Sequence, residues 1–320
     1  MIKTLGNNIV NAFTGGNPVK AIYTYGQLVW PTSPVPTEYY IKWTPSSAEG
    51  QFNIDGTTYD LSAFSGIYYW STGIINPSAF QNNYSVQSIE TNATSIGDWA
   101  FHYCDSLSQV SLPMCGYIGV DAFFDCRSLK QVSLPVCSYI GSYAFQDCHS
   151  LSKISLPVCE SIEERAFGFC SSLKQVSLPV CSYIGVDAFS SCRSLSQISL
   201  PMCSYIGTGA FLRCISLSQI SLPTCESIGY IAFLSCWSLA QASLPVCSYI
   251  GEYAFYNCYS LSRITIGYSG VCSLDGTSVF DGTKITSSRG SIYVPASLVN
   301  SYKKATNWSY YSRRIFPIKS

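Results

Sequence analysis

The sequence predicts a repeat solenoid, mainly β with short helical or 3-10 turns, coiled about nine times and closed by a cap at each end. Three observations carry that expectation. Seven consecutive 22-residue blocks, beginning at Ser106, Ser128, Ser150, Ser172, Ser194, Ser216 and Ser238, share the pattern S-L-x-x-(V/I)-S-L-P-x-C-x-x-I-G-x-x-A-F-x-x-C-x with few departures. Apolar residues recur at fixed offsets in every block, so each unit can bury its apolar face only against its neighbours. The segments flanking the array lose the period, as terminal coils facing solvent must.

Residues 1–31 form an attachment segment, with a hairpin expected over 19–30 that turns at Tyr25-Gly26. A free hairpin of this size is marginal in water, so another chain is expected to order it, with Ile22, Tyr23, Tyr25, Leu28 and Trp30 as docking residues. Residues 32–37, with Pro34 and Pro36, are a stiff linker. Residues 38–73 alternate polar and apolar around Asp55-Gly56 and make a small β cap, followed by the solenoid at 74–285 and a C-terminal cap at 286–320.

Within a coil, Val110 in, Ser111 out and Leu112 in reads as a short strand stopped by Pro113. Ile118 and Gly119 mark an inward residue at a turn, and Ala122, Phe123 and Cys126 fall at the offsets of one helical or 3-10 turn. The column Phe123, Phe145, Phe167, Phe189, Phe211, Phe233 and Phe255 is the expected aromatic spine. Val86, Ile89, Ile96, Ala100 and Phe101 repeat the scheme upstream, Ile75, Ala79 and Phe80 end a still earlier coil, and Leu261 to Phe280 make an eighth. The cap is expected to hold the strand Ile292-Tyr293-Val294, a short helix from Leu298 to Ala305, Trp308 and a last strand through Ile315-Phe316.

Fourteen of the sixteen cysteines occupy repeat positions 10 and 21, Cys104 extends the second column, and Cys272 stands outside the strict spacing. Parallel neighbours point their Cβ vectors the same way, which disfavours disulfides, and an eleven-residue spacing lacks the paired C-x-x-C of structural zinc. Buried reduced thiols acting as small hydrophobes are expected, consistent with folding in a reducing compartment.

With 18 basic and 18 acidic residues and no basic run, nothing would hold a phosphate backbone, so nucleic acid is excluded as a partner. No apolar stretch is long enough to span a membrane, and Met1 to Asn8 show no Sec-type leader. His102 near Cys104 and His149 beside Cys148 lack an orienting carboxylate in the motif, so no enzyme, cofactor or catalytic residue is expected. Asp121, Asp125, Asp147 and Asp187 lack the dense alternating ligands of a calcium loop and read as solvated surface, so no metal is expected.

The block L-P-x-C-x-x-I-G-x-x-A-F-x-x-C closely resembles the BspA-like leucine-rich repeats of gut and oral bacteria over about residues 74–283. That resemblance implies a right-handed parallel solenoid used for adhesion to proteins or glycans at surfaces, without implying one ligand. The stretch from Ile292 to Ile318 resembles the closing segment that follows such arrays. Ala21 to Pro31 is similar to short N-terminal modules of virion proteins from phages of gut Bacteroidales.

Among the seven blocks, outward strand positions hardly vary: position 4 is glutamine except at Lys153, and position 6 is serine. These columns either solvate a sheet face or bind a repetitive ligand such as a glycan. Variation concentrates at positions 15, 16, 19, 20 and 22, which in the last three coils hold Leu212, Ile215, Tyr230, Ile231, Leu234, Trp237, Tyr253, Tyr256 and Tyr259. This apolar patch is the expected binding site for a protein or glycan, unless the C-terminal cap folds over it. The expected function is non-enzymatic display, by adhesion or receptor attachment, with the N-terminus docked in a larger assembly such as a phage tail or virion. The alternatives are a bacterial cell-surface adhesin, or a purely structural virion protein. The location is then a virion or cell surface, and self-association stays open.

Overall fold

The computed structural model describes residues 73–319 apart from residue 85, together with the backbone of short strands ahead of them; the side chains of those strands and of residue 90 lie outside the description. The docking side chains of Ile22, Tyr23, Tyr25, Leu28 and Trp30, and the linker 32–37, therefore fall outside the described residues. In backbone terms, Tyr23–Thr24 pairs antiparallel with Gln27–Leu28, and Gln51–Ile54 with Thr57–Asp60. Gly66–Trp70 pairs in parallel with Val86–Thr91, so the parallel stack takes in a strand ahead of residue 73.

Each repeat coil contributes one longer strand, three residues in most coils and four at Gln241–Leu244, and one two-residue strand. The longer strands form a seven-stranded parallel sheet from Gly66–Trp70 to Gln197–Ser199 and a five-stranded one from Gln219–Ser221 to Ile315–Pro317. The two-residue strands form a ten-stranded sheet from Ile74–Ile75 to Ser273–Leu274. Like residues face like: Gln109 pairs with Gln131, Val110 with Val132, Ser111 with Ser133. Valine turns inward between an exposed glutamine and an exposed serine, the period-2 pattern of a half-buried strand. The ten short strands exceed the nine turns expected, because the partial coils at Ile74–Ile75 and Ser273–Leu274 still pair with their neighbours even though they break the sequence pattern.

The Ala-Phe-x-x-Cys segment corrects the expectation of a helical or 3-10 turn. Positions 16 and 20 adopt positive φ, as at Asp121 (53°), Asp125 (56°), Tyr143 (59°) and Asp147 (60°). Left-handed residues reverse the peptide plane, so alternate N–H groups leave their own coil. Asp121, Phe123 and Asp125 donate to the carbonyls of Ser142, Ala144 and Gln146 in the next coil at 3.0, 2.7 and 2.8 Å. Phe124 and Cys126 donate instead to Asp121 and Phe123 within the coil, at 3.1 and 3.3 Å. A helical turn would turn every donor back into its own coil and leave the stacking interface unpaired.

The phenylalanine spine runs unbroken from Phe80 to Phe280, with ring centroids 4.9 to 5.7 Å apart. All sixteen cysteines are buried free thiols. They also close carbonyls: Cys115 donates to Tyr117 O at 3.1 Å within its coil, and Cys126 to Phe101 O at 3.0 Å in the coil before. Cys272, outside the strict sequence spacing, lies thiol to thiol with Cys247.

The C-terminal cap holds the helix Val299–Lys304 and the 3-10 helix Trp308–Arg314. Its buried aromatics seal the last coil. Trp308 Nε1 donates to Cys272 O at 2.5 Å, Tyr302 Oη accepts from Cys272 N at 2.9 Å, and Tyr311 Oη donates to Thr277 O. The rings of Trp308 and Tyr311 lie over Phe280, 6.2 and 5.2 Å away between centroids. The open end of the spine is thus covered by apolar surface whose polar edges satisfy the exposed peptide groups.

Candidate interaction surface

Because the core columns are uniform, function falls to the columns that face outward. The expected C-terminal patch is brought together as two aromatic groups. Tyr230, Tyr253 and Tyr256 meet edge to face at 5.9 and 5.4 Å, while Trp237 lies 6.2 Å from Tyr259. Tyr230, Trp237 and Tyr259 are 46%, 48% and 53% exposed. Leu212, Ile215, Ile231, Leu234, Tyr253 and Tyr256 are half-buried around them. The cap aromatics pack over the end of the spine, and these three rings stay open to solvent.

Ile231 has φ +49°, in the left-handed region where a β-branched side chain is strained. Its equivalent one coil earlier is Gly209, at φ +61°. The patch therefore displays an isoleucine on a backbone that favours glycine or asparagine.

Sequence reasoning missed a second apolar feature. Position 9, between Pro and Cys, points outward in six of the seven blocks, where Met114, Val136, Val158, Val180, Met202 and Val246 are 40–56% exposed. Beside it runs position 12, where Tyr117 stacks on Tyr139 at 5.0 Å and Tyr183 on Tyr205 at 5.5 Å. The available signal was an apolar residue in six of the seven blocks at a place where the inward alternation had already ended.

The glutamine and serine columns form an open polar face. Gln175 Nε2 donates to Gln197 Oε1 at 3.0 Å, and shallow depressions follow this face past Ser88, Gln109, Gln131 and Lys153.

The groups weighed for chemistry have structural partners. Asp125 takes both the Nε and the terminal nitrogen of Arg127, at 2.7 and 2.8 Å, and Asp187 takes Arg165 at 3.2 Å. Asp121 accepts from Trp99 Nε1 at 3.1 Å, and Asp147 from Gln146 Nε2 at 3.0 Å. His102 stacks on Phe124 at 5.0 Å, and burial lowers its pKa against the pull of Asp121 and Asp125. His149 Nδ1 lies 3.0 Å from Phe169 O. The thiol of Cys148 donates to Phe123 O at 3.1 Å, and burial pushes its pKa far up, which suppresses the thiolate a nucleophile needs. No helix among the described residues is long and apolar enough to cross a membrane.

A family model for the BspA type leucine rich repeat region, in six copies, matches residues 73–192 and 182–305, together more than half of the chain. Among solved structures, the chain is similar to a leucine-rich repeat protein from Eubacterium ventriosum at 16% identity, covering 66% of this chain and 80% of that one, with a TM-score of 0.45. It is similar to a leucine rich cell surface protein from Faecalibacterium prausnitzii at 21% identity, covering 85% and 95%, with a TM-score of 0.38. The pneumococcal vaccine antigen PcpA aligns at 17% identity over 100% and 99%, with a TM-score of 0.41. No curated protein matches the chain.

Proposed function

The chain belongs to the BspA-type leucine rich repeat family, and from that premise we propose that it is a non-enzymatic binding protein that attaches to a surface partner through its repeat face. The observation that carries this function is the exposure of Tyr230, Trp237 and Tyr259 beside a cap that occupies the end of the spine. Large aromatic rings held on a rigid scaffold are the side chains that dominate binding energy at protein interfaces. A protein ligand fits this surface better than a glycan, since the rings meet edge to face and the described depressions lie on the separate glutamine face. Cell-surface adhesion is the context that the family favours. Attachment as part of a virion rests on the likeness of Ala21 to Pro31 alone.

The test is a binding screen of the full chain against extracellular-matrix proteins and mucin glycans, repeated with the double variant Trp237→Ser, Tyr259→Ser. Loss of a protein ligand with an unchanged melting temperature supports the assignment. A fall in melting temperature with no change in binding refutes it.

A further inference from the structure

Position 12 reads Tyr117, Tyr139, Ser161, Tyr183, Tyr205, Ser227, Tyr249 along the seven coils. Register places Ser161 directly between Tyr139 and Tyr183. Tyr139 lies within 4° of parallel to Tyr117, and Tyr183 within 6° of Tyr205. Each inner ring therefore has one face on its stacking partner and the other turned toward the coil of Ser161. At 5.0 to 5.5 Å per coil, those two faces stand about 10 Å apart. A flat group stacked between them would fill only about 7 Å of that gap. A tetrahedral ammonium at its middle lies about 5 Å from both ring centroids, inside the ~6 Å reach of a cation–π contact.

The same coil supplies a counter-charge at a structural cost. Position 14 is glycine in the six other coils, and a Cβ added to Gly119, Gly141, Gly185, Gly207, Gly229 or Gly251 would come within 2.9 Å of the preceding coil's backbone. In this coil it is Glu163, whose backbone N–H still bonds Ile140 O at 3.1 Å. Such a departure from an otherwise fixed packing rule is expected where a side chain serves function. Ser161 Oγ donates to Glu163 Oε1 at 2.5 Å, which holds the carboxylate beside the gap. Burial and then the Glu163 carboxylate push up the phenol pKa of both Tyr139 and Tyr183, so the charge is felt from both walls. Neighbouring charges are committed elsewhere: Glu164 accepts from Tyr143 Oη at 2.6 Å, and Arg165 pairs with Asp187 at 3.2 Å. Among the described residues no basic side chain pairs with Glu160 or Glu163.

We propose that the gap at Ser161 is a cage for a lysine ammonium group presented by a protein partner, with Tyr139 and Tyr183 as its walls and Glu163 as its counter-ion. The gap recurs three coils on at Ser227, between Tyr205 and Tyr249, where Gly229 stands in place of Glu163. That second gap has the same walls but no carboxylate at position 14, although Asp275 accepts from Tyr249 Oη at 3.0 Å, and serves as an internal control for Glu163. The cage is a different surface from the Trp237 patch and does not depend on it.

The experiment is an NMR titration of the full chain, carrying labelled tyrosine rings, with Nα-acetyl-lysine methylamide, its arginine counterpart and its uncharged norleucine counterpart. The lysine probe should shift the Tyr139 and Tyr183 rings saturably and the norleucine probe should not. Glu163→Gly should weaken the lysine probe about fivefold while holding or raising the melting temperature, because it restores the residue of the other coils. Ser161→Tyr, which completes the tyrosine column, should abolish binding in a folded chain. The cage is overturned if the lysine probe leaves these rings unmoved, if arginine binds as tightly, if shifts appear only at the Ser227 gap, or if Glu163→Gly binds like the parent or lowers the melting temperature.

Discussion

Raising the pH should unfold this solenoid through its buried thiols. Burial holds the thiols of Cys115 and Cys181 at about 11, and those of Cys137 and Cys203 at about 12. An unfolded cysteine titrates near ~8.5. Between those values the unfolded chain has released protons that the folded chain retains, so rising pH favours unfolding. The thiol contribution to stability is complete below ~8.5 and is lost as pH climbs toward the folded values. Each of the four costs about 1.4 kcal/mol per pH unit in that window, or roughly 5–6 kcal/mol per unit together. That is comparable with the whole stability of an ordinary domain, ~5–15 kcal/mol. Cys126, Cys170 and Cys192, held higher still by burial, steepen the loss. We expect a cooperative transition with a midpoint between about pH 9.5 and 11, followed in reducing buffer by circular dichroism and by thiolate absorbance together. The two signals should move as one. Apart from Cys247, whose pKa the hydrogen bond with the Cys272 thiol lowers, thiols ionising near pH ~9 while the native dichroism persists would be open to solvent, and the reasoning would fail.

Phe189→Ala removes one ring from the spine between Phe167 and Phe211, 5.2 and 5.5 Å away, and should cost about 3–5 kcal/mol by denaturant unfolding. Ile231→Gly relieves the left-handed strain at φ +49° and should stabilise the chain by about 0.5–1 kcal/mol in calorimetry; a destabilised variant would mean that the side chain's packing outweighs the strain. Trp308→Phe keeps a ring over Phe280 but leaves the Cys272 carbonyl without its 2.5 Å donor, so about 1–3 kcal/mol should be lost, with faster hydrogen exchange confined to the last coils.

The sequence made the core legible because repetition averages out local ambiguity. One phenylalanine at an uncertain offset says little, whereas seven at the same offset can only be a column. The turn after Gly119 was misread because Ala122, Phe123 and Cys126 satisfy helical spacing, while the hydrogen bonds that decide its geometry run to another coil. Chain-local spacing carries no trace of those bonds. The cysteine columns were recognised as buried, yet their donation to carbonyls depends on backbone positions that only the folded coil defines. For the surface, looking for variation found Trp237 and Tyr259 but passed over the nearly constant valines of position 9. It also passed over the serine gaps of position 12, whose meaning lies in what stands one coil to either side.

The parallel stack also determines how the molecule would carry load. Every inter-coil hydrogen bond runs along the long axis, so tension applied between the ends acts on the coils in series, peeling one before the next is loaded. A freed 22-residue coil pays out about 75 Å of chain in place of the ~5 Å it occupied when stacked. Held at both ends, the protein is then a sacrificial tether that absorbs a pull by lengthening coil by coil, while the coils still stacked keep displaying their surface.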